Sequence, residues 1–227
     1  ICVGCAGGID ITMSKNYPLQ ELKEDEINVK ILLNGLAGGH SGAEIHEGLG
    51  NSNKILLELI QKLNSDFDVK ICSIDGGGLR NAIPRESSTI ISFDEDNLNS
   101  FKKIMKNTSQ TLVAEFKETD DNINLEFELL ENRFQTLGAI ESKELINAIN
   151  ECPNGVFEMS ENIDGLVETS NNLANIRLIE GKLKIQCLTR SSSENSKDKL
   201  SKIISKIFEN IGCDIKFSGG YPGWEPN

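Results

Sequence analysis

The sequence predicts an α+β fold made of duplicated ferredoxin-like units, each an antiparallel sheet with its helices packed on one face. Two observations carry this. Strand-like and amphipathic runs follow the order strand, helix, strand, strand, helix, strand, and part of that order then recurs. In each half the two middle strands are also too close in sequence for a parallel crossover, which takes about a dozen residues, so they read as hairpins.

Each element has its own warrant. Residues 27–36 (INVKILLNGL) are β-branched and apolar, and form a strand running into the glycine-rich stretch GLAGGHSGAEIHEGLG at 35–50. Over 51–66 the apolar residues Ile55, Leu56, Leu59, Ile60 and Leu63 fall at helical spacing behind a cap at Asn51 or Ser52. Residues 67–77 alternate as a second strand, 87–95 give a third across a turn at RNAIPRE, 96–116 are helical and 122–130 close the unit as a strand. In the second half, 141–155 form a short helix ended by Pro153 and Gly155, and 165–190 a strand pair turning at Gly181. An amphipathic helix at 193–212 ends at Gly212, and 213–219 is the last strand. This second copy lacks an obvious first strand.

Composition excludes several function classes. Lysine and arginine total 23 against 35 aspartates and glutamates, a net charge of −12 with no basic block, which argues against a nucleic-acid surface. No apolar run approaches the ~20 residues of a membrane span, so a soluble protein without membrane partners is expected. The 6 cysteines are scattered through apolar runs of a chain too large to need disulfide stapling, which favours a reducing, cytoplasmic location. Cys2 and Cys5 form a CxxC with no second pair to complete a zinc ribbon, and read as coincidence. The chain opens at Ile1 inside a β-like run, as a piece of a longer protein would.

Both histidines, His40 and His46, lie in the 35–50 stretch. A phosphate loop needs a lysine and a hydroxyl after its last glycine; here Ala43 and Glu44 follow Gly42. Histidines on a helix that share a metal stand three or four apart, and these are six apart, so a metal site would have to lean on Glu44 and Glu47; none is assigned. Two readings stay open: a strand-to-helix turn whose glycines supply backbone freedom, or an imidazole brought close to a ligand as a donor to an oxyanion. Asn81, in GGGLRNAIPRES, is either a hairpin residue tolerating left-handed backbone or an amide shown to substrate. Arg190, at a strand end in IQCLTRSSS, is either solvated or a bidentate grip on a carboxylate. Residues 219–227 (GGYPGWEPN) look like a hinge.

Taken in order, GCAGGID, GLAGGHSGAEIHEGLGNSNK, GGGLRNAIPRE, CPNGV, GLVETSNN, CLTRS and GGYPGWEPN closely resemble the middle of the aminoacylhistidine (Xaa-His) dipeptidases, also called peptidase D or cytosol non-specific dipeptidases. These are di-zinc hydrolases related to carnosinases, desuccinylases and carboxypeptidases, with a catalytic domain split by an inserted lid. The resemblance covers essentially the whole chain and implies that the chain is the lid. On it, residues 1–25 are a remnant of a catalytic-domain strand and hinge, 26–131 and 132–218 are the two lid subdomains, and 219–227 return to the catalytic domain. The two zinc ions and their ligands are implied to lie outside this chain, so that the chain by itself is expected to be inactive. The resemblance further implies that His40 stabilises the oxyanion, Asn81 hydrogen-bonds the substrate and Arg190 binds its terminal carboxylate, while His46, Glu44 and Glu47 are structural. The implied partners are a dipeptide, the protein's own catalytic domain and a possible homodimer. Lids of a single unit lend their histidine to a partner subunit; a doubled lid offers one within the same chain. The rival expectation is a free-standing ferredoxin-like binding or dimerisation module.

Overall fold

The computed structural model describes residues 6–224. Cys2 and Cys5, and the last residues of the 219–227 stretch, lie outside the described residues. The strands are β1 (Gly7–Asn16), β2 (Glu26–Asn34), β3 (Gly39–His40), β4 (Lys70–Gly77), β5 (Ala82–Ile83), β6 (Ser87–Asp94), β7 (Asn124–Leu130), β8 (Gly155–Met159), β9 (Val167–Ile179), β10 (Lys182–Ser191) and β11 (Asp214–Tyr221). The helices are α1 (Ser52–Asp66), α2 (Leu98–Glu115), α3 (Ala139–Glu151) and α4 (Glu194–Glu209). Among the described residues no helix is long and apolar enough to cross a membrane.

The main sheet runs β11-β1-β10-β9-β4-β6-β2-β7, with β8 beside the first half of β9. Its pairs are antiparallel throughout. Two ferredoxin-like units are therefore joined edge to edge, one ordered β4-β6-β2-β7 and the other β11-β1-β10-β9. The strand that the second unit lacks in sequence is β1, which pairs with β10 over its whole length and with β11 on its other side. Residues 7–16, expected as a remnant of a neighbouring domain's strand, are thus an inner strand of this sheet. Ile11 and Met13 are fully buried, and that burial draws the segment in. The first unit is inserted between β1 and α3.

Alternation decides which face is covered. Val29, Ile31 and Leu33 of β2, Ile91 and Phe93 of β6, Ile176 and Leu178 of β9, and Leu183 and Ile185 of β10 all belong to one buried core with the apolar stripes of the helices. Phe93 lies between Phe67, tilted against it at a centroid distance of 5.2 Å, and Phe101, stacked on it at 5.1 Å. The opposite strand positions, such as Lys30, Arg177 and Lys184, are solvated.

The join between units is double. β4 and β9 pair from Ile74↔Leu178 to Gly77↔Asn175, while α1 packs beside α3 and each touches the other unit's edge strand, α1 on β9 and α3 on β4. Gly76 and Gly77 make the close approach possible. A Cβ on Gly76 would stand 2.1 Å from Asn53 Oδ1, and one on Gly77, whose φ is +76°, would stand 1.9 Å from the carbonyl oxygen of Ala174. Asn53 of α1 uses the space to donate to the Leu173 carbonyl at 3.2 Å. Its neighbour Asn51 accepts from the N–H groups of Asn53 and Lys54 as the α1 cap and donates to Asn154, Asn172 and the Leu173 carbonyl.

Candidate functional site

Three loops meet at one end of the sheet. The stretch leaving β2 and the stretch leaving β4 zip together as the two-residue ribbon β3–β5, with Gly39 opposite Ile83 and His40 opposite Ala82. The Ser41 N–H extends the ribbon by donating to the Asn81 carbonyl at 2.9 Å. Both loops belong to the first unit, yet they are pinned to the second. Asn172 of β9, nearly fully buried, donates from Nδ2 to the carbonyls of Arg80 and Ala82 at 3.2 and 2.8 Å, holding both residues that flank Asn81. The Arg80 guanidinium forms an ion pair with Asp10 of β1.

Arg190 ends β10 in the second unit and closes the group. A Cβ built on Gly42 would stand 3.1 Å from His40 Cε1 and 3.2 Å from both Cζ and Nε of Arg190. A side chain at this position would therefore crowd both the imidazole and the guanidinium, which glycine lets approach the turn. His40, Asn81 and Arg190, which lie up to 150 residues apart in a chain of 227, are thereby brought to one place, with two elements from one unit and one from the other.

The local bonds give each group a defined chemical state. His40 Nδ1 accepts from the backbone N–H of Gly42 and of Ala43, both at 3.1 Å. An acceptor at Nδ1 leaves the ring proton on Nε2, so the exposed edge of the imidazole is a donor. Glu44 Oε2 accepts from the His40 N–H at 2.6 Å and locks the turn. Arg190 Nη1 donates to the Tyr221 hydroxyl at 2.9 Å, whereas its buried Nε has no hydrogen-bond partner. A buried N–H without an acceptor is costly unless a ligand supplies one. The Asn81 side chain is exposed, and its backbone is not left-handed: among described non-glycine residues only Glu180, in the β9–β10 turn, has positive φ.

The remaining candidates separate from this group. His46 Nε2 lies 3.2 Å from Glu47 Oε1 on an exposed turn. Among the described residues no three His, Cys, Asp or Glu side chains are grouped so as to hold a metal ion, so these residues do not fit a zinc site. Cys72, Cys152, Cys187 and Cys213 are free and buried, and burial raises the Cys72 thiol to about 12. The supporting residues Asn172, Tyr221 and Asp10 were not read from sequence. The one signal for each is its place in a motif that carries the resemblance: Asn172 in GLVETSNN, Asp10 in GCAGGID and Tyr221 in GGYPGWEPN.

Residues 31–120 match the family model of the peptidase dimerisation domain. Over 227 residues the chain is 34% identical to the cytosol non-specific dipeptidase of Escherichia coli (strain K12), covering 100% of this chain and 47% of that protein. The crystal structure of aminoacylhistidine dipeptidase from Vibrio alginolyticus matches with a TM-score of 0.94 at 34% identity, over 99% of this chain and 46% of that one. The chain spans about half the length of these relatives. The chain therefore contains a peptidase dimerisation domain match at residues 31–120 and is similar along its whole length, in sequence and fold, to one part of these dipeptidases.

Proposed function

We propose that the chain is the substrate-binding lid of a cytoplasmic, zinc-dependent dipeptidase that hydrolyses Xaa-His and other unblocked dipeptides. The observation that carries the reading is the convergence of His40, Asn81 and Arg190 around Gly42, with a donor edge on His40 and an unpartnered N–H on Arg190. In this reading the Arg190 guanidinium takes the substrate's terminal carboxylate through its N–H groups, which fixes the dipeptide's direction. Asn81 hydrogen-bonds the peptide. His40 Nε2–H then points at the carbonyl oxygen that gains negative charge as the bond is attacked, and stabilises it without reorganising. Zinc would supply the activated nucleophile when bound, and its ligands are assigned to protein outside this chain. Because His40 and Arg190 come from the two units of one chain, the lid completes its part of the site in cis.

The family description favours a second reading, in which the domain serves to join two copies. The β4 and β9 edges, where the two units meet, are already paired with each other, so any such joining would use other surfaces. Kinetics of the full-length protein distinguish the two. Arg190→Gln is expected to raise KM for a free dipeptide by about 10–100-fold while hardly changing KM for the same dipeptide as its C-terminal amide. Equal kinetics in variant and wild type would remove Arg190 from the site and favour the joining role.

A further inference from the structure

The end of β11 is shaped around Arg190. Its register with β1 slips between Gly8 and Asp10, so that Gly219 and Gly220 bulge, and Gly219 adopts a φ of +61°. A bulge re-aims the side chain beside it. Here that side chain is Tyr221, whose ring lies over Gly8: a Cβ on Gly8 would stand 2.8 Å from the phenol oxygen and 2.9 Å from the ring. The backbone just after it is clamped by α4. Buried Lys197 donates from Nζ to the Tyr221 carbonyl at 3.2 Å and to Glu194 Oε1 at 2.6 Å, and Glu194 Oε1 also accepts from the Gly223 N–H at 3.1 Å. The tyrosine hydroxyl, held this way, takes one end of the Arg190 guanidinium while Nε stays unpartnered.

We propose that Tyr221 is a positioning residue, which holds the Arg190 guanidinium in place beside the His40 turn to receive the substrate carboxylate. The proposal rests on the reading of Arg190 given above. A loose arginine must give up rotamer freedom when it grips a carboxylate, and the bond to Tyr221 removes part of that loss before the substrate arrives. It also gives GGYPGW a role beyond a connection: the glycines make the bulge, and the bulge aims the phenol.

The test uses the full-length protein. Tyr221→Phe keeps the ring on Gly8 and deletes only the hydroxyl. KM for a free dipeptide is expected to rise about 3–10-fold, the size of one lost hydrogen bond, with kcat within about twofold and the C-terminal amide unaffected. In an Arg190→Gln background the same change should add nothing. Gly8→Ala, which displaces the ring by a different route, should reproduce the KM pattern. An unchanged KM in Tyr221→Phe, with Arg190→Gln still raising it, overturns the proposal and leaves the carboxylate reading standing. Equal KM rises for dipeptide and amide also overturn it, because the effect would not run through the carboxylate. No effect of Arg190→Gln overturns the underlying reading itself.

Discussion

Replacing His40 by alanine in the full-length protein is expected to lower kcat by about 100-fold or more, with a much smaller change in KM. The size follows from what the imidazole is held to do. Two backbone N–H groups occupy Nδ1, so the ring needs no further step to present its Nε2 proton as a donor. A donor aimed where charge develops contributes mainly in the transition state, which is why the loss falls on kcat. The His40 side chain is exposed and its bonds lie within its own turn, so the variant should melt close to the wild type, separating a chemical defect from a folding one. A near-normal kcat would return His40 to the turn as a structural residue.

The largest effect on stability is expected at Gly77. Alanine there meets the Ala174 carbonyl oxygen at 1.9 Å on a backbone with φ of +76°, and that oxygen belongs to the strand on the other side of the join. Neither partner is a flexible side chain. The clash is relieved only by parting β4 from β9, and the expected loss is on the order of 3–5 kcal/mol, measured by urea or thermal denaturation. Gly78, next along the chain, has open space where its Cβ would go, and Gly78→Ala serves as a near-neutral control. If Gly77→Ala melted with the wild type, the join would be shown to yield locally. Because Asn172 and Arg190 reach the site from beyond that join, loosening it should also weaken substrate binding.

Most of the frame was legible in sequence because its elements are long and periodic. The stretch predicted as helical over 51–66 is α1 at Ser52–Asp66, and the hairpin turning at Gly181 is β9–β10. The parts that escaped share a physical reason: their partners are remote. β8 is five residues long and exists by pairing with β9, and β3 and β5 are two residues each, formed only when two loops meet. β1 alternates visibly through Ile9, Ile11 and Met13, but nothing local says that its neighbours are β10 and β11. The site follows the same rule. Glycines around His40 marked the turn, whereas the proximity of His40, Asn81 and Arg190 was implied by family resemblance and by no spacing in the chain. Tyr221 became visible only through the bulge that aims it.

The insertion of one unit inside the other has a consequence for how the protein is made. β1 is synthesised before the whole first unit, yet its two sheet partners, Lys182–Ser191 and Asp214–Tyr221, are synthesised only after it. In the interval the first unit, Glu26–Leu130, has all four of its strands and both helices available. β1 meanwhile is an unpaired strand with Ile9, Ile11 and Met13 on one face, the kind of edge that nascent chains must shield from one another.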